Sequence, residues 1–93
     1  MIKSFRDVDT QRLWSEESTR HIPASLRKTA LKKLQMLNAA AALRDLTVPP
    51  GNRLEPLHGD RKGQYRIRIN DRYRVCFEWR ESDAYNVEIT EYH

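Results

Sequence analysis

Between Arg61 and Arg74 the chain carries six basic residues (Arg61, Lys62, Arg66, Arg68, Arg72 and Arg74) against one acid, Asp71. The planar fork of arginine matches the geometry of phosphate. Folded with its side chains on one surface, this segment leaves positive charge for an external partner. The C-terminal end supplies a different set. Glu91, Tyr92 and His93 offer a carboxylate, a phenol and an imidazole in succession, all groups able to move a proton. A further imidazole, His58, sits just before Gly59-Asp60-Arg61-Lys62-Gly63, a loop whose two glycines permit close approach by a ligand. The histidines at 21, 58 and 93 and the single Cys76 show no metal-ligand spacing, so no metal is expected. Cys76 reads as a structural thiol, and the sequence holds no Gly-rich phosphate loop or nucleotide fingerprint.

The elements that must position these groups are strands. Tyr65, Ile67 and Ile69 alternate with Arg66, Arg68 and Asn70; Tyr73, Val75, Phe77 and Trp79 alternate with Arg74, Cys76, Glu78 and Arg80. Tyr85, Val87 and Ile89 then alternate with Asn86, Glu88 and Thr90. With a short strand around Leu54 to Leu57, this predicts a meander of about four strands. Residues opposite one another share a face. Apolar matching therefore pairs Ile69 with Tyr73, Ile67 with Val75 and Tyr65 with Phe77, across a three-residue loop, Asn70-Asp71-Arg72. The same register sets Arg68 opposite Arg74, and Arg66 opposite Cys76. Like charges so placed are unfavourable. Either an anion completes the cluster, or Glu88 and Glu91 neutralise it as ordinary surface pairs. Tyr92 continues the polar phase of Glu88 and Thr90. If the last strand lies beside the Tyr73–Arg80 strand, Tyr92 approaches the arginines.

Ahead of the strands the chain reads helical. Ile2 and Phe5 suggest a short opening strand, and Asp9 a cap for a short helix through Leu13 and Trp14. Pro23 fits the first turn of a second helix. There Leu26, Ala30, Leu34, Leu37 and Ala41 form an apolar stripe, with Arg27, Lys28, Lys32 and Lys33 on the other face. Asn38 interrupts it before a short continuation through Leu43 and Leu46. Val48-Pro49-Pro50-Gly51-Asn52 is a strong breaker and separates the helical part from the strands.

Composition bounds the rest. At 39% hydrophobic and 32% charged, the 93 residues suit one domain with a core, not a disordered tail. A single cysteine excludes an internal disulfide framework. The charged start, with Lys3, Arg6, Asp7 and Asp9, lacks the apolar run of a signal peptide, and no membrane span is expected. The simplest expectation is a reduced, cytoplasmic protein. A net charge of +4 permits nucleic-acid binding without requiring it.

Several stretches together carry a resemblance. They are Met1-Ile2-Lys3-Ser4-Phe5, Pro50-Gly51-Asn52-Arg53-Leu54-Glu55, Leu57-His58-Gly59-Asp60-Arg61, Gly63-Gln64-Tyr65-Arg66-Ile67-Arg68-Ile69-Asn70, Tyr73-Arg74-Val75-Cys76-Phe77 and Glu91-Tyr92-His93. Spread over nearly the whole chain, this set resembles the HigB-type toxins of the RelE superfamily, the killer proteins of plasmid-maintenance toxin–antitoxin systems, and most of all their GraT-like branch. The resemblance implies an α+β fold: one domain over residues 1–93, with two to three N-terminal helices packed on one face of a small, curved, antiparallel-rich sheet.

It also implies a ribosome-dependent endoribonuclease that cuts translated mRNA with neither metal nor cofactor. Such a toxin is held by a HigA-type helix-turn-helix antitoxin, reaches operator DNA only through that complex, and has no membrane partner. Arg74 then matches the strand arginine that contacts the scissile phosphate, Tyr92 the near-terminal tyrosine and His93 the terminal histidine. Glu91 stands where many members have aspartate, His58 where some have lysine, and Glu55 where some have histidine. Arg66, Arg68, Arg61 and Lys62 are expected to bind RNA phosphates, and Arg27, Lys28, Lys32 and Lys33 to contact ribosomal RNA. Two rivals remain: a ParE-like, gyrase-poisoning chain, whose type lacks the arginine–tyrosine–acid set, and a non-catalytic RNA- or DNA-binding module.

Overall fold

The computed structural model describes residues 1–92. Two α-helices, α1 (Val8–Trp14) and α2 (Arg27–Ala39), precede four strands, β1 (Glu55–Pro56), β2 (Gln64–Arg68), β3 (Tyr73–Arg80) and β4 (Asp83–Glu91). The strands form one antiparallel sheet in chain order. This is the expected α+β arrangement.

Helix α1 begins two residues earlier than the sequence suggests. Asp7, not Asp9, is its cap: the Asp7 carboxylate accepts the Thr10 N–H at 3.1 Å. Asp9 lies in the first turn and accepts a hydrogen bond from the Thr19 hydroxyl. The buried Thr10 hydroxyl accepts the Ile89 N–H at 3.0 Å, which ties α1 to β4. Pro23 leads into a 3₁₀ turn over Ala24–Leu26 that feeds α2. In α2 the side chains of Ala30, Leu34 and Leu37 are fully buried. The helix stops at Ala39, so the expected apolar stripe is one turn too long: Ala40 is extended, and Ala41 is exposed. The continuation is a 3₁₀ turn over Leu43–Thr47, which buries Leu46. Asn38 accepts the Ile2 N–H at 2.9 Å, which anchors the N-terminus. The opening residues make isolated parallel bridges, Ile2 to Ala84 and Phe5 to Val87, rather than a full strand.

The helices cover the sheet face that carries Ile67, Val75, Phe77 and Val87, each almost wholly buried. Burial of a side chain of this size contributes about 1.5–3 kcal/mol. The predicted β2–β3 register is the observed one: Tyr65 faces Phe77, Ile67 faces Val75, Arg66 faces Cys76 and Arg68 faces Arg74. Ile69 and Tyr73 are joined by a backbone hydrogen bond of 3.0 Å.

Strand β4 departs from simple alternation. Cys76 pairs with Glu88, but Glu78 pairs with Tyr85, so a bulge intervenes. Asn86 takes up the extra residue with a φ of 51°. Ala84 and Val87 consequently both face the core. Tyr85 joins the polar face with Glu78, where the sequence pattern had put it on the apolar one.

Candidate functional site

The face of the sheet away from the helices carries the arginines. β2 presents Arg66 and Arg68, and β3 presents Arg74 from directly opposite Arg68. β4 runs beside β3 with Thr90 opposite Arg74. Beyond β4, the Tyr92 N–H donates to the Arg72 carbonyl, which holds the C-terminal segment against the β2–β3 loop. The Tyr92 ring therefore lies with the Arg74 guanidinium 4.4 Å and the Arg66 guanidinium 4.8 Å from its centre. Both distances are within cation–π range. The residue is still 44% exposed. A groove of about 320 Å³ runs past it, lined by His58, Arg61, Arg66, Arg74, Cys76, Thr90, Glu91 and Tyr92.

The acids that answer the arginines are not the expected ones. Arg66 pairs with Glu55 on the edge strand at 3.1 Å, and Arg68 with Asp71 in the hairpin loop. Glu88 serves Arg6 at 2.8 Å and Arg61 at 3.0 Å, while Glu91 serves Arg72 at 2.5 Å. Among the described residues, no carboxylate pairs with Arg74. Its guanidinium donates instead to the carbonyls of Asn70 and of Tyr73, the latter at 3.0 Å. Burial, and then repulsion from Arg68 and Arg66, hold the Arg74 pKa below the ordinary arginine value. A guanidinium so perturbed remains charged at neutral pH. It is a cation whose hydrogen-bond partners among the described residues are neutral carbonyls.

His58 is exposed and precedes a 3₁₀ turn over Gly59–Arg61 at the groove's rim. Gly59 and Gly63 have φ of +66° and +92°, with open space where a Cβ would stand. Glycine is required here by backbone conformation rather than by a close neighbour. Lys62 is exposed on the same loop. The Glu91 carboxylate, in register with Tyr73, sits at the strand end and lines the groove while bound to Arg72. Cys76 is buried in the groove floor, its sulfur 3.4 Å from the Thr90 hydroxyl. His93 lies outside the described residues.

The basic face of α2 is divided. Lys28 and Lys32 are exposed, but Arg27 donates to the Glu17 carbonyl at 2.9 Å and Lys33 to the buried Asn52 amide at 2.6 Å. Burial, with repulsion from Lys32 and Arg68, lowers the Lys33 pKa. Arg6 was missed in the sequence, because only the bridge from Phe5 to Val87 brings it to Glu88. Glu55 was read only through the resemblance; its position opposite Arg66 follows from the β1–β2 register.

Comparison with known proteins gives the family. Residues 3–93 match the family model of the RelE-like toxin of the type II toxin–antitoxin system HigB. Toxin HigB-1 of Vibrio cholerae is 41% identical over 91 residues, spanning 96% of this chain and 95% of that one. Endoribonuclease HigB of Proteus vulgaris is 30% identical over 93 residues, the full length of both. The crystal structure of YafQ from E. coli strain BL21(DE3) superposes with a TM-score of 0.59 at 15% identity, covering 98% of this chain and 91% of that one, and so shares the fold. The chain belongs to the HigB-like family of RelE-like toxins from type II toxin–antitoxin systems.

Proposed function

We propose that this toxin is an endoribonuclease that cuts translated mRNA on the ribosome, and that the groove beneath Tyr92 is where it does so. One observation carries the reading: Arg74 is held against the ring of an exposed tyrosine without a carboxylate of its own among the described residues. The endoribonuclease named among its relatives supports the reaction class. In the reaction the ribose 2′-oxygen attacks the adjacent phosphorus. The O2′–P bond forms, the P–O5′ bond breaks, and a 2′,3′-cyclic phosphate and a 5′-hydroxyl result. Arg74, with Arg66 and Arg68 beside it, stabilises the negative charge that grows on the phosphoryl oxygens. Removing one such preorganised donor costs about 10²–10³-fold. His58 and Glu91 divide the proton transfers, one taking the 2′ proton and the other protonating the leaving oxygen, typically about 10²–10⁴-fold in rate. His93, the terminal imidazole, is a third group for that role. The Tyr92 ring stacks on a base and orients it. Arg61 and Lys62 steer the flanking phosphates, and exposed Lys28 and Lys32, with Arg27 and Lys33 behind them, face ribosomal RNA.

A toxin of a type II system has an antitoxin partner. We infer that this one is a HigA-type helix-turn-helix protein, and that the toxin reaches operator DNA only within their complex. The site of action is the cytoplasm, where messages are translated. Among the described residues, no helix is long and apolar enough to cross a membrane.

Primer extension on translated mRNA, with wild-type protein and with Arg74→Ala, tests the reading. New 5′ ends with the wild type, and about 10²–10³-fold fewer with the variant, are expected. Cleavage by Arg74→Ala at the wild-type rate overturns the proposal.

A further inference from the structure

The pairing of Arg74 with Tyr92 has a counterpart at the far end of the same sheet face. Arg74 is opposite Thr90 on β4, and the tyrosine it meets is two residues beyond that partner. Arg80 is opposite Asp83, and the tyrosine it meets, Tyr85, is again two residues beyond. This is the diagonal relation across antiparallel strands, within reach of long side chains. The Arg80 guanidinium stands 4.0 Å from the centre of the Tyr85 ring, closer than Arg74 stands to Tyr92. Arg80 also resembles Arg74 in charge: among the described residues no carboxylate pairs with it. Asp83, its cross-strand neighbour, is taken instead by the N-terminal ammonium at 3.2 Å.

The bulge at Asn86 is what creates this pair. In a regular strand, Tyr85 shares the apolar phase of Val87 and packs against the helices. With the bulge it lies on the open face, opposite Glu78. The Asn86 amide donates to the Glu78 carboxylate at 2.5 Å, so the bulge and the acid hold one another. Glu78 repels phosphate. What remains beside it is the exposed Arg80 guanidinium stacked on the partly exposed Tyr85 ring, a flat surface that suits a base rather than a backbone. From Arg74 to Arg80 is six residues of strand, about 20 Å at the usual rise. That distance spans several nucleotides of an unstacked single strand.

We propose that Tyr85 and Arg80 form a second stacking platform for an unpaired RNA base, separate from the groove under Tyr92. The proposal rests on the nuclease reading above. Sheet faces bearing aromatic side chains bind single-stranded RNA in this way, each stacked base contributing about 1–3 kcal/mol. The base comes either from the message or from exposed ribosomal RNA.

Steady-state cleavage on programmed ribosomes tests this, with messages that either extend well past the cut or end one nucleotide beyond it. Tyr85→Ala is expected to raise KM roughly tenfold on the long message, the loss falling on KM rather than kcat. Tyr85→Phe, which keeps the ring, restores KM. Arg80→Ala alters an exposed side chain and gives a KM penalty of the same kind even if Tyr85→Ala folds poorly. A penalty that vanishes on the trimmed message marks the base as downstream message. One that persists marks it as ribosomal or upstream RNA, and either result supports the platform. Wild-type KM in both Tyr85→Ala and Arg80→Ala overturns the platform and leaves the nuclease reading intact. Absence of cleavage by the wild type overturns both.

Discussion

Arg68 and Arg74 face one another across β2 and β3, and among the described residues only Arg68 has a carboxylate partner, Asp71. Two like charges in direct cross-strand opposition work against the hairpin. The fold retains them with one cation paired to a carboxylate and the other donating to the carbonyls of Asn70 and Tyr73. Arg74→Ala therefore separates function from stability. Cleavage of translated mRNA is expected to fall by about 10²–10³-fold. The thermal midpoint is expected to change little, because relief of the repulsion from Arg68 and Arg66 offsets the lost Tyr92 contact and carbonyl hydrogen bonds. A midpoint that drops sharply with the activity would make Arg74 structural.

Tyr92 connects Arg66 to Arg74 through its ring, not its hydroxyl. Tyr92→Phe is accordingly expected to keep most of the cleavage rate and Tyr92→Ala to lose it. The two exposed cation–π contacts are worth about 0.5–1 kcal/mol each. The alanine variant should thus unfold at slightly lower denaturant, in addition to its loss of activity. Equal loss in both variants, read by the same primer-extension assay, would move the role to the phenolic oxygen.

The β2–β3 hairpin could be read from sequence because two independent constraints agree there. Apolar alternation fixes the faces, and the three-residue loop fixes the offset, so Arg68 and Arg74 had to meet. Tyr85 shows where that logic fails. Tyr85, Val87 and Ile89 have the spacing of a regular strand, and a bulge does not alter the spacing it interrupts. The available signal was Asn86, a residue type that tolerates positive φ, beside the small Ala84 that takes the core position. The counterions were missed for another reason. Glu55 reaches Arg66 through the pairing of β1, a strand of two residues whose register no periodicity can set. Asp7 and Asp9 are equally good caps in sequence, so the pattern alone does not fix where α1 starts. Only the contact of Thr10 with β4 distinguishes them.

Asn52 is a fully buried amide at the junction of the helical and strand parts. Its nitrogen donates to the Leu46 carbonyl at 3.1 Å, and its oxygen accepts from Lys33. Asn52→Ala leaves a buried carbonyl without that donor and strips a partly buried ammonium of an acceptor. A loss of about 1–3 kcal/mol is expected in chemical denaturation. Asn52→Asp serves as the contrast: it keeps an acceptor for Lys33 but sets a buried carboxylate oxygen against the Leu46 carbonyl, so a loss at least as large is expected. Wild-type stability in Asn52→Ala would show that the junction is held by packing alone.

Asp45 gives the fold a defined acid dependence. Its carboxylate accepts the N–H groups of Ala41 at 2.9 Å and Ala42 at 3.0 Å, just after α2 ends. Those two bonds, foremost that from Ala41, hold its pKa below the ordinary value of 3.8. A carboxyl with a depressed native pKa binds fewer protons folded than unfolded. Its contribution is complete above 3.8, where both states are ionised, and disappears as pH falls through the lower native value. Asp45→Asn should consequently melt below the wild type near neutrality. The difference should hold steady down to the ordinary carboxylate range and then close with further acidification. Thermal melts of the two proteins across that range decide it. A gap that stays constant into strong acid would mean that the two N–H groups are equally well satisfied by a neutral acceptor, and that charge at Asp45 plays no part in ending α2.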